Sequence, residues 1–381
     1  MKPVGVLVAV CALLGAACAP APSRAPARAY DVQVDAKATP FSISADAYFP
    51  FEVQAHPGDT VRFTAVDRGS LHTVTFGTLV DAVLAASDRL RKERRSKLEV
   101  SREIASFQLP SLFTPPPSST VNQSAAQPCF LDGGTPPPNQ ACSKEQQAQP
   151  DFNGKAAYFN SGYLASGAVF ALRLSDGIAP GTYRYLCLLH GIDMSGQVVV
   201  IPADKAVASP EDVRTRGADQ LQRTIVGLQK QVDALRAGGD AVVAGIDSPE
   251  SPGAQATVFS PSQVQVDTGG SVTWTLFGAH TISFNAPQDA VGLLLHESDG
   301  SWAVNTRAVD PVNSAVPLPA PGRPVTIDSG TWDGRGFRSS GLIASLPPGI
   351  VMYRVTFGQP GTYAYKCLVH ADMEGTVKVG K

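Results

Sequence analysis

The sequence contains one unit written twice, and whatever fold it adopts must accommodate that repetition. The run YFPFEVQAHPGDTVRFT (Tyr48–Thr64) aligns without a gap on FSPSQVQVDTGGSVTWT (Phe259–Thr275), with Pro50 on Pro261, Val53 on Val264 and Phe63 on Trp274. LHTVTF (Leu71–Phe76) aligns on AHTISF (Ala279–Phe284), and Asp81-Ala82-Val83 on Asp289-Ala290-Val291. NSGYLAS (Asn160–Ser166) aligns on SSGLIAS (Ser339–Ser345), and PGTYRYLCLLHGIDMSGQVVV on PGTYAYKCLVHADMEGTVKV. The blocks keep their order and differ in the loops between them. The chain is therefore expected to fold as two copies of one domain.

The matched blocks read as strands. FEVQAHPGDTVRFTAV alternates apolar and polar residues around a Pro-Gly-Asp turn, and GTYRYLC and SGQVVVI behave likewise. Charged residues are 17% of the chain, below the usual ~25%, while Gly (35) and Pro (31) are abundant. Both facts favour an all-β, loop-rich chain: two Greek-key β-sandwich or barrel domains. The expected boundaries are residues 28–203 and 241–381, joined by a helical linker at 204–240. In that linker Leu221, Ile225, Leu228, Val232 and Leu235 follow a 4-3-4-3 spacing before a Gly-Gly stop. Such a seam can pack on the chain's own domains; a homo-oligomer formed through residues 218–236 is the competing reading. The first copy is lengthened by DRLRKERRSKLEVSRE, expected as an exposed helix, and by a Pro-rich loop.

The chemistry-bearing residues follow the repeat. Of the six cysteines, Cys11 and Cys18 lie at the N-terminus, and Cys129 and Cys142 bracket the Pro-rich loop and are expected to form a disulfide. Cys187 and Cys367 remain, one per copy, each followed by a histidine three residues on, His190 and His370. A second matched pair, His72 and His280, lies far upstream. Each copy adds a methionine before a glycine, Met194 and Met373, in a chain with only four methionines. Two histidines and a cysteine with a weak axial methionine form the donor set of a blue-copper electron-transfer site. Thiolate and thioether suit Cu(I), imidazoles suit Cu(II), and a site between both preferences changes little on redox. A structural zinc site is the weaker reading, because zinc usually takes four Cys or His ligands and no Met.

Both copies resemble the cupredoxins, the plastocyanin- and azurin-like copper proteins. The resemblance rests on HPGDTVRF, LHTV and PGTYRYLCLLHGIDMSG in the first copy, and on GGSVTW, AHTI and PGTYAYKCLVHADMEG in the second. It covers most of residues 40–202 and 254–381; the long insertions have no counterpart in the family. The resemblance implies two cupredoxin-like domains and two type 1 coppers per chain, one held by His72, Cys187, His190 and Met194, the other by His280, Cys367, His370 and Met373. The second loop, Cys-x2-His-x2-Met, is like that of amicyanins; the first has one more residue between His and Met.

Three functions compete on this basis. Electron transfer is the expected one, with a cytochrome or copper protein as redox partner and no enzymatic activity. A two-domain copper oxidoreductase such as a nitrite reductase needs further histidines. Only His56 and His296 are left over, and there is no His-x-His pair. Copper storage or delivery usually uses open Met- or His-rich tracts. The net charge of −2 excludes a strongly basic nucleic-acid binder. The N-terminus, MKPVGVLVAVCALLGAAC, has a positive start and an apolar run too short to span a bilayer, and reads as an export signal. Cys18 follows small residues and is a candidate lipidation site, with residues 1–27 as leader and tether. The folded part is then expected outside the cytoplasm, in the periplasm or beyond, held to a membrane by a lipid anchor; ordinary cleavage after a downstream Ala is the competing reading.

Overall fold

The computed structural model describes residues 26–38, 43–66, 70–107, 109–111, 120–235, 241–248, 253–313, 324–345, 349–370 and 372–381. Residues 1–25 of the leader and tether, with the lipidation candidate Cys18, and the Gly-Gly after the linker helix lie outside them.

The period-2 pattern of the repeat becomes two β-sandwiches. In the first, one sheet runs in the order Val169–Arg173, Thr60–Ala65, Ala29–Val34, Tyr48–Phe49. The facing sheet runs Glu52–Ala55, Gly191–Val200, Gly181–Cys187, Thr75–Phe76, Tyr158–Ser161, Pro128–Leu131. Alternate residues of Thr60–Ala65 point inward, so Val61, Phe63 and Ala65 are buried. They meet Tyr30, Val32, Phe76, Tyr185 and Val198 from both sheets. The second sandwich repeats this around Trp274, Phe284, Tyr353, Phe357, Tyr365 and Val377. Each copy packs a tyrosine ring against the glycine after its methionine. A Cβ at Gly196 would meet Tyr185 at 2.5 Å, and one at Gly375 would meet Tyr365 at 2.3 Å. The glycines Gly196 and Gly375 are thus explained by core packing.

Two features tie the copies together. The segment between Asp35 and Asp46 leaves the first sandwich, and its strand Ile43–Ala45 pairs antiparallel with Ala254–Ser260 of the second. The linker forms a helix, Pro210–Leu235, started by Ser209 and Asp212, whose side chains cap each other's backbone N–H groups. Its seam residues Leu221, Ile225, Leu228 and Val232 pack with Phe49, Ala45, Ile246 and Ala254, drawn from both copies.

The stretch expected as one exposed helix is two. Thr78–Lys92 and Lys97–Ile104 are separated at Ser96, which caps the second in a capping box with Glu99. Leu90 and Val100 are buried under them. Three arginines of this stretch are half-exposed and ion-paired: Arg89 with Glu93 and Glu103, Arg91 with Asp193, Arg95 with Glu99. Cys129 and Cys142 are joined as a disulfide. Next to it Gln123 and Gln127 reach the second copy, donating to the carbonyls of Trp302 and Gly300.

Candidate metal centre

In each sandwich the upstream histidine sits before a short inner strand, and the cysteine ends the neighbouring strand. Strand pairing therefore brings residues more than 80 positions apart to one end of the domain. Thr75–Phe76 lies beside Tyr185 and Leu186, and Ser283–Phe284 beside Tyr365 and Lys366. His72, Cys187 and His190 form one group and His280, Cys367 and His370 another; within each group the ligand atoms lie within 4.8 Å of one another. Cys187 Sγ is 3.5 Å from His190 Nδ1, and Cys367 Sγ is 3.5 Å from His370 Nδ1. The Nδ1 atoms of His280 and His370 face each other at 3.1 Å. Upstream histidines and cysteines are buried, whereas His190 and His370 are only partly so. Met194 and Met373 are fully buried and share a core cluster with their cysteines.

A threonine after each upstream histidine locks the ligand loop. The Thr73 amide donates to Cys187 Sγ (3.3 Å), and its hydroxyl accepts from the Leu188 amide (2.8 Å). Thr281 does the same for Cys367 (3.4 Å) and Leu368 (2.7 Å). Sequence reasoning passed over these threonines, although the matched His-Thr pair carried the signal.

The surroundings of the two histidine pairs differ. His72 Nε2 donates to the buried carboxylate of Asp35 (2.9 Å), and Asp46 lies 3.7 Å from His190 Nε2. His280 Nε2 instead donates to the Phe277 carbonyl (2.8 Å). Asp35 and Asp46 were also missed, since neither belongs to the repeat. Burial acts against a charged His72 imidazole, but Asp35 and the Cys187 sulfur hold its pKa well above the ordinary value. Burial pushes His280 down to about 4, with the Phe277 carbonyl and more distant carboxylates opposing only in part. Burial alone would raise the Cys187 thiol; the His190 and His72 imidazoles outweigh it and hold it at about 5. Cys367 is lowered for the same reason, its burial overcome by His370. Both shifts favour the thiolate, the form that binds metal.

The donors fit copper. Nδ1 of His72 is buried and has no hydrogen-bond partner among the described residues, while its Nε2 is held by an acid. That is how a metal-ligating imidazole is oriented from its far side. Two imidazoles and a thiolate, with a thioether in the same core cluster, offer the soft and borderline ligands that copper takes. Between the domains, beside the first ligand loop, lies a cavity of about 1070 Å³ bordered by Leu188, Gly191 and Ile192 and by Val304, Val309 and Leu342.

No family model and no curated protein matches the sequence. Solved structures do. A purple cupredoxin from Nitrosopumilus maritimus is 15% identical, covers 45% of this chain and 99% of its own, with a TM-score of 0.20. A blue copper oxidase from Nitrosomonas europaea is 11% identical, over 93% of this chain and 86% of its own, with a TM-score of 0.19. The multicopper oxidase mgLAC is 11% identical over the same shares, with a TM-score of 0.21. At these identities the likeness is one of fold: the chain folds as two cupredoxin-like domains, each with a His–Cys–His group that could hold a metal ion.

One expectation is corrected here. The sequence predicts a carrier and no enzyme, because too few histidines are left for a catalytic cluster. The structures matched along 93% of the chain are oxidases, which are enzymes. A histidine count bears on which cluster one chain can build alone. It does not bear on what a mononuclear site can oxidise, so the exclusion of an enzyme is not kept.

Proposed function

We propose that the protein is a copper redox protein with one type 1 copper in each domain, held by His72, Cys187, His190 and Met194 and by His280, Cys367, His370 and Met373. The observation that supports this most strongly is the orphaned Nδ1 of His72, buried beside Cys187 and His190 in a group the second domain repeats. Copper supplies one-electron chemistry between Cu(II) and Cu(I). The chain's residues do the rest. Thr73 and Thr281 fix the cysteines, the sandwich cores exclude water from sulfur and thioether, and the partly buried His190 and His370 leave an edge for electron entry. The buried cysteines, methionines and upstream histidines suit retained copper better than copper to be handed on.

A second reading, a copper oxidoreductase acting on a small organic donor, is favoured by the apolar cavity that borders Leu188 and Gly191, on either side of His190. In the first reading the donor is a redox protein, a cytochrome or another copper protein. The N-terminal run and the Cys129–Cys142 disulfide support an exported protein, lipid-anchored through Cys18.

Single-site variants test the assignment. Cys187→Ser and Cys367→Ser should each remove about half of the visible thiolate-to-copper band and leave the other half in place. Variants that both keep the full band contradict the proposal. Turnover of phenols or nitrite by the loaded chain, set against reduction by a cytochrome, separates the two readings.

A further inference from the structure

The acid beside His72 has no counterpart in the second domain, and the strand register shows why. Val34 lies opposite Ala65, and Ala244 lies opposite Leu276, the residue matching Ala65 in the repeat. The next residues, Asp35 and Gly245, therefore occupy the same place, and both have left-handed backbone, with φ of 62° and 78°. At that place the first domain puts a carboxylate on the ligand imidazole. In the second, a Cβ at residue 245 would come within 2.2 Å of His280 Nε2. No side chain fits there, and the nitrogen turns to the Phe277 carbonyl. Asp46, the other acid of the first group, lies two residues before the matched block, and the same offset carried back falls on Thr257, which bears no charge.

We propose that Asp35, assisted by Asp46, holds the first copper site at a lower reduction potential than the second, so that an electron shared by the chain rests in the second domain. This rests on the copper reading above. A carboxylate accepting the N–H of a ligand imidazole makes that ligand more basic and places a negative charge near the metal in a poorly screened interior. Both effects favour Cu(II) over Cu(I). A backbone carbonyl is a neutral dipole and does less. Asp46 and Asp247 act on His280 as well, but through space. Exchange between the sites moves one electron and neither proton nor bond: one site is oxidised as the other is reduced.

The two groups are also joined by a short run of contacts. Asp46 lies beside His190, and its neighbour Ala45 stands opposite Ala254 in the shared ladder. Gln255 then donates to the Phe277 carbonyl (3.2 Å), which also accepts from His280. The same excursion of chain that carries Asp35 and Asp46 thus brings the domains together.

A redox titration of the copper-loaded chain, followed by its visible band and EPR signal, tests this. Cys367→Ser isolates the first site and Cys187→Ser the second. The first midpoint is expected below the second by at least tenfold in the reduction equilibrium, about 59 mV for one electron. Asp35→Asn removes the charge and keeps one oxygen acceptor. It should raise the first midpoint by a similar factor in the Cys367→Ser chain and leave the second unchanged in the Cys187→Ser chain. Equal midpoints in the two single-site chains overturn the inference and leave the copper reading standing. So does an Asp35→Asn chain whose first midpoint stays put while its spectrum remains that of the parent. A chain that takes up no copper overturns both. If Asp35→Asn does not fold, the comparison of the two single-site chains decides, since it leaves Asp35 in place.

Discussion

Thr73 serves two neighbours at once, its amide holding the Cys187 sulfur and its hydroxyl taking the Leu188 amide. Removing the hydroxyl while keeping the shape leaves a buried N–H unsatisfied, at a cost of about 1–3 kcal/mol. Thr73→Val and Thr281→Val should each lower the unfolding free energy of the metal-free chain by that amount in denaturant titrations; no loss would show that the loops are held by packing alone. At this scale the repeat made the ligand candidates legible, because His72, Cys187, His190 and Met194 each have a matched partner. It could not reveal Asp35 or Asp46. They belong to no matched block, and their meaning depends on a left-handed residue placed over His72 by strand register.

The linker helix shows what an amphipathic pattern can and cannot tell. The seam from Leu221 to Val232 was visible as spacing, but its partner surface was not. That surface is assembled from Phe49, Ala45, Ile246 and Ala254, residues far apart in sequence. Leu228 is fully buried there, whereas Val226 on the same helix is 42% exposed. Leu228→Ala should cost about 2–5 kcal/mol, and Val226→Ala should change stability by less than ~0.5 kcal/mol, both read by chemical denaturation. Similar losses at the two positions would show the seam is not what the domains clasp. The strand Ile43–Ala45 escaped sequence reasoning for the same reason, since pairing with Ala254–Ser260 is a long-range event that leaves no local pattern. The disulfide is a third element to test. Cys129 and Cys142 are 13 residues apart, and opening a loop of that size by Cys142→Ser should cost about 3 kcal/mol on the chain-entropy account. An unchanged midpoint would mean that the surrounding packing already constrains the loop.

Across the whole molecule, repetition produces likeness of fold and insertion produces difference of setting. Both sandwiches place a His–Cys–His group at the same end, yet the lengthened first copy carries the helix pair Thr78–Lys92 and Lys97–Ile104, the disulfide loop and the acids beside His72 and His190. Sequence identity between the copies carries the first fact; the second depends on placement in space, because a charge matters by its distance from a ligand atom. The central claim is that this one chain holds two mononuclear copper sites, and it is most directly tested by metal analysis and EPR of the copper-loaded protein. The account predicts two coppers per chain, matching the two His–Cys–His groups, with an intense visible band and the narrow hyperfine splitting of thiolate-bound Cu(II). A single copper, or two with the wide splitting of nitrogen and oxygen ligation, would contradict it.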